Sequence, residues 1–117
     1  MLLELTLVAL NTMTDLVQQL ANELAVRPNQ VEASIRLIDE GASVPFIARY
    51  RKEVTQGLDD TQLRQLDTRL SYLRDLYERR EKVIQSLQEQ DKLSDDLLAR
   101  VNAAETKNAL EEIYAPY

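Results

Sequence analysis

The stretch that decides the fold is Asp60–Gln90, DTQLRQLDTRLSYLRDLYERREKVIQSLQEQ. Leu63, Leu66, Leu70, Leu73, Tyr77, Ile84 and Leu87 follow alternating three- and four-residue steps, with Arg80 as the only break in the row. That spacing collects side chains on one side of an α-helix. Leu76 and Val83 widen the stripe, as expected of a helix that packs against others in its own domain. No Gly or Pro interrupts residues 58–115. Asp59, with Gln62 three residues on, supplies an N-terminal cap. The pattern predicts one continuous helix of roughly 30 residues, about 45 Å long. Such a length resembles a coiled-coil arm.

Working outward, the C-terminal side holds two shorter helices. Ser94 with Asp95 and Asp96 starts one carrying Leu97, Leu98 and Val101. Thr106 starts the other, carrying Leu110, Ile113 and Tyr114, and Ala115-Pro116-Tyr117 stops it. On the N-terminal side, helical spacing begins after Met13, with Asp15 and Gln18 as a capping pair ahead of Leu16, Val17, Leu20, Ala21 and Leu24. Arg27-Pro28 ends or resets that helix, because a residue before proline avoids the α region. Asn29 and Glu32 suggest the next cap, Val31, Ile35 and Ile38 the next apolar face, and Gly41 its left-handed stop. Pro45 then opens a short helix expected to bury Phe46, Ile47, Tyr50 and Val54 and to close at Gln56-Gly57. Helix, brief glycine turn, helix is a helix-turn-helix outline. The expected fold is all-α: a helix-turn-helix-like pair packed with one long helix and shorter C-terminal helices.

Residues 1–12, MLLELTLVALNT, read differently. The run is too short to span a bilayer, which takes about 20 apolar residues, and it lacks the basic start of a signal peptide. It is read as an apolar leader or upstream extension, with residues 13–117 as the domain. Leu3, Leu7 and Leu10 are expected to turn inward against the domain or a neighbouring copy.

Composition narrows the function. The chain has 117 residues, no His and no Cys, which excludes zinc fingers, His-based triads, cysteine nucleophiles and disulfides. Gly 2 and Pro 3 leave few turns for sandwiches or βαβ folds. Lys+Arg 14 against Asp+Glu 20 gives −6, the wrong sign for a module that wraps duplex DNA by bulk charge. Asp59-Asp60 and Asp95-Asp96 lack further oxygen ligands at EF-hand spacing and read as helix caps rather than a metal site. No GxGxxG, GxxxxGK or GxSxG occurs. No enzyme activity, cofactor, metal, membrane or small-molecule substrate is expected.

One charge pattern stands apart. Residues 45–57 carry Arg49, Arg51 and Lys52 against Glu53, a net +2 in a chain of −6. One reading makes Arg49, Arg51 and Lys52 phosphate contacts from the second helix of the pair. The other pairs Arg49 with Glu53 or with a carboxylate on the long helix. Arg49 borders the expected apolar face, so partial burial against a carboxylate is predicted for it, with Arg51 and Lys52 exposed. Arg79, Arg80 and Lys82, interleaved with Glu78 and Glu81, read as a solvated helix face.

Longer motifs carry a family resemblance. Leu37-Ile38-Asp39-Glu40-Gly41, Val44-Pro45-Phe46-Ile47-Ala48-Arg49-Tyr50-Arg51-Lys52-Glu53, Gly57-Leu58-Asp59, Arg69-Leu70-Ser71-Tyr72-Leu73-Arg74 and Leu110-Glu111-Glu112-Ile113-Tyr114 resemble the N-terminal domain of the Tex family of bacterial transcription-accessory proteins. The resemblance covers Met13–Tyr117. It implies a fragment of a larger cytoplasmic protein, whose other domains include a RuvC-like fold, helix-hairpin-helix elements and a C-terminal OB-fold that binds RNA. It implies no catalytic residue here. The expected role is a non-catalytic scaffold or docking module of a protein that binds nucleic acid, RNA rather than DNA, when intact. The alternative is a protein–protein module whose long helix docks the transcription machinery.

Overall fold

A computed structural model of the chain describes the backbone of residues 2–117 and the side chains from Met13 onward. Seven helices and no strand occur among the described residues: α1 (Leu2–Leu24), α2 (Pro28–Asp39), α3 (Val44–Tyr50), α4 (Lys52–Thr55), α5 (Asp60–Glu89), α6 (Asp95–Ala103) and α7 (Lys107–Tyr114). They form two compact units, Met1–Leu73 and Arg74–Tyr117, and α5 runs through both.

The predicted long helix is there, at 30 residues. Its start is the expected reciprocal cap. The Asp59 N–H donates to Gln62 Oε1 at 3.0 Å, and the Gln62 N–H donates to Asp59 Oδ1 at 2.8 Å. It ends where Asp91 enters the left-handed region at φ 57° and the Lys92 N–H reaches back to the Leu87 carbonyl. The buried line is slightly rotated from the expected one. Leu63, Leu66, Leu70, Leu73, Leu76, Val83 and Leu87 are buried, whereas Tyr77 and Ile84 are half-buried.

In the first unit, α2 packs on α1, α3 and α4. Leu16, Leu20, Ala21, Val31, Ile35, Ile47, Leu58 and the α5 leucines as far as Leu73 make its core. Three details differ from the sequence reading. α1 passes straight through Asp15, which therefore caps nothing; the helix continues N-terminally to Leu2. The inward turn expected of Leu3, Leu7 and Leu10 concerns side chains outside the described residues. α2 begins at Pro28 rather than Asn29, so the cap comes from Gln30, whose Oε1 accepts the Arg27 N–H at 2.9 Å. α2 does stop at Gly41, at φ 96°, where only glycine is unstrained.

In the second unit, Leu76, Val83 and Leu87 of α5 share a core with Leu97, Val101, Ala104 and Leu110. Ser94 and Thr106 cap α6 and α7 as expected, accepting from the Leu97 and Ala109 N–H groups. Arg79 is fixed to Glu111 by two hydrogen bonds of 2.5 and 3.1 Å. The expectation that Arg80 lies on a solvated face is overturned. Arg80 follows Leu76 by four residues and precedes Val83 by three, so it falls on the buried row. Its stem is half-buried, its guanidinium donates to the Ala104 carbonyl, and it lies 5.0 Å from the Tyr77 ring centre.

Candidate nucleic-acid interface

The candidate residues sit where α3 passes into α4. Ser43 caps α3 by accepting the Phe46 N–H at 3.3 Å, and Pro45 stands in the first turn. The expected single helix to Gln56 breaks at Arg51, whose backbone leaves the helical region at φ −127°, ψ 30°. A tether from outside the local sequence accompanies the break. The buried Gln30 amide donates to the carbonyls of Thr55 and Gln56, both at 3.2 Å. Gln56 and Gly57 then take left-handed backbone at φ 57° and 94° to lead into α5. The break lets the short α4 swing its end onto Gln30.

The buried face is rotated from the expected one, with Ile47 inside as expected but Phe46, Tyr50 and Val54 outside. Ile47 and Thr55 are fully buried and Arg51 between them is half-buried, so the inward line runs 47, 51, 55. The line 46, 50, 54, expected inside, faces out: Phe46 is 40 % exposed, Tyr50 55 % and Val54 37 %. One residue step on a helix is about 100°, enough to carry the expected line outward.

The cations follow. Arg49 is exposed rather than partly buried, and among the described residues it has no carboxylate partner. Its guanidinium instead lies 5.7 Å from the Tyr50 ring centre. Arg51 is half-buried rather than exposed, because it falls on the inward line between Ile47 and Thr55; it lies 5.2 Å from the Phe46 ring centre and donates to the Tyr50 carbonyl at 3.1 Å. Lys52 is exposed, as expected. The Phe46 and Tyr50 rings themselves stand 5.3 Å apart, tilted by 49°. Among the described residues none of Arg49, Arg51 and Lys52 forms an ion pair. Arg64, Arg69, Arg79, Lys82 and Lys107 are each paired with a carboxylate, whereas Arg27, Arg36, Lys92 and Arg100, scattered elsewhere along the chain, show no ion pair among the described residues either. The structure therefore brings three unneutralised cations together with two exposed aromatic rings. The sequence reading missed the rings as surface residues. The signal was the interleaving of aromatic and basic residues in Phe46-Ile47-Ala48-Arg49-Tyr50-Arg51-Lys52, which an amphipathic wheel treats as an apolar face.

The family profile described as the Tex-like protein N-terminal domain matches residues 14–88. The chain belongs to the Tex family. Protein YhgF of Escherichia coli (strain K12) is 60 % identical over 98 residues, 84 % of this chain and 13 % of its own length. Transcriptional accessory protein Tex of Neisseria gonorrhoeae is also 60 % identical over 98 residues, with the same coverage of 84 % and 13 %. The human S1 RNA-binding domain-containing protein 1 is 34 % identical over 103 residues, 88 % of this chain and 10 % of that protein. The chain thus spans about an eighth of the length of its bacterial Tex relatives, 13 %. The whole aromatic and basic surface, residues 46–54, lies inside the Tex-family match. Among the described residues, no helix is long and apolar enough to cross a membrane and no acidic cluster is placed to hold a metal.

Proposed function

We propose that this domain is a non-catalytic helical module through which a Tex-family transcription-accessory protein holds nucleic acid, with Arg49, Arg51 and Lys52 as phosphate contacts. The observation that carries the reading is the clustering of three cations, none with a carboxylate partner among the described residues, beside the exposed rings of Phe46 and Tyr50. Cations held by internal ion pairs have little to offer a phosphate, whereas these are free to exchange counterions for it. The polymer is RNA rather than DNA, a choice supported by the human relative named for an S1 RNA-binding domain.

Docking of the transcription machinery through the long helix is the second reading, favoured by the name of the gonococcal relative, a transcriptional accessory protein. In both units the apolar row of α5 is already buried within the chain, so such docking would rest on the charged outer face. The test compares RNA affinity of the intact protein with that of Arg49→Ala/Arg51→Ala/Lys52→Ala and of a control, Arg36→Ala/Lys92→Ala/Arg100→Ala, that removes equal charge from exposed positions elsewhere. The first variant is expected to lose roughly tenfold or more at moderate salt, and the control clearly less. Equal losses would assign the effect to net charge alone.

A further inference from the structure

We propose that Phe46 and Tyr50 form a stacking platform, so that the strand gripped by Arg49, Arg51 and Lys52 is single-stranded rather than duplex. This rests on the function proposed above and adds the class of nucleic acid.

Two large aromatic rings, 40 % and 55 % exposed, are costly to leave in water on a domain with a well-filled core. They are neighbours at 5.3 Å, too close and too tilted to clamp a base between them, so each offers an outer face. The ligand must present both flat apolar surface and negative charge, because the rings lie among unpaired cations. An unpaired strand has this combination: splayed bases with π-faces and a phosphate at every step. A duplex hides its base faces in the stack and would leave both rings uncovered. The guanidiniums of Arg49 and Arg51 now lie over the rings at 5.7 and 5.2 Å. An exposed cation–π contact is weaker than a base–aromatic stack, so an arriving base can displace the guanidinium outward, toward the phosphate beside that base. A guanidinium that stays in place offers its own plane for stacking. An acidic peptide with aromatic side chains would satisfy the same surface and is an outcome of the test.

The experiment measures binding of the intact protein to a uridine homopolymer and to an RNA duplex of equal length. The unsubstituted protein should prefer the single strand. Phe46→Leu/Tyr50→Leu, which keeps apolar bulk and removes the rings, should lose roughly tenfold on the single strand and little on the duplex. Tyr50→Phe should bind as the unsubstituted protein does, whereas Tyr50→Leu should not; this single-site pair decides the matter even if the double variant folds poorly. The proposal is overturned if the leucine variants bind the homopolymer normally while Arg51→Ala/Lys52→Ala weakens it, for then phosphate contact stands without stacking. If neither pair of substitutions alters RNA binding, the proposed function itself fails and a protein partner takes the surface.

Discussion

The side chain of Gln30 shows how one residue sets the position of a site it does not belong to. Its amide oxygen caps α2 by accepting the Arg27 N–H, and its amide nitrogen serves the carbonyls of Thr55 and Gln56. Ser34, fully buried one turn later, returns its hydroxyl to the Gln30 carbonyl at 2.7 Å. A buried amide serving three backbone groups leaves all of them stranded when truncated. Gln30→Ala is therefore expected to cost about 1–3 kcal/mol, read from urea unfolding, and to loosen the α3–α4 corner. Gln30→Ala with unchanged stability would mean that water takes over these groups freely. No local pattern announces such a role. Gln30 looks like an ordinary polar residue near a proline, and its partners lie 25 and 26 positions away. For this reason the tether that anchors the end of α4 was hidden from sequence reasoning.

At the scale of elements, legibility followed length and capping. α5 could be read almost end to end because its period repeats over many turns and Asp59-Gln62 marks its start. Ser94 and Thr106 marked α6 and α7 for the same local reason. Short helices gave a face only to within one position: Ile47 is buried as expected, but the inward line continues to Arg51 and Thr55 rather than to Tyr50 and Val54. Leu73 is fully buried at the middle of α5, so Leu73→Ala should cost about 2–5 kcal/mol in chemical denaturation. A cost near zero would remove the helix row from the core. α1 and α5 are further joined by Glu23 and Arg69, with contacts of 2.6 and 3.1 Å. The Arg69 hydrogen bonds hold the Glu23 carboxyl below its ordinary value of 4.5. A carboxyl depressed in the folded state stabilises the fold above that ordinary value, and the contribution is lost as pH falls through the depressed one. Glu23→Gln should accordingly flatten the loss of stability below about pH 4.5, while costing at most about 1 kcal/mol at neutral pH because the pair is partly solvated. An unchanged acid limb would show that the pair does not survive in solution.

At the scale of the whole molecule, charge sets what the domain can do unaided. The −6 of the chain opposes any polyanion, although the α3–α4 corner is locally basic, with Arg49, Arg51 and Lys52 against Glu53. The isolated domain should bind nucleic acid no better than roughly 10⁻⁴ to 10⁻⁶ M at physiological salt, the non-specific range. Family, all-α class and helix order could be read from sequence because each rests on extended patterns. The surface chemistry of the site could not, because exposure on a short helix turns on a single residue step. Unpaired cations that meet phosphates at this corner displace counterions from the nucleic acid, and that release is directly measurable. RNA affinity of the intact protein should be followed across a salt series for the unsubstituted form and for Arg51→Ala/Lys52→Ala. Each lost phosphate contact on a single strand should reduce the slope of log affinity against log salt by about 0.7, so the variant should be shallower by roughly 1.4. Superimposable slopes at every salt concentration would contradict the account and leave the corner as architecture alone.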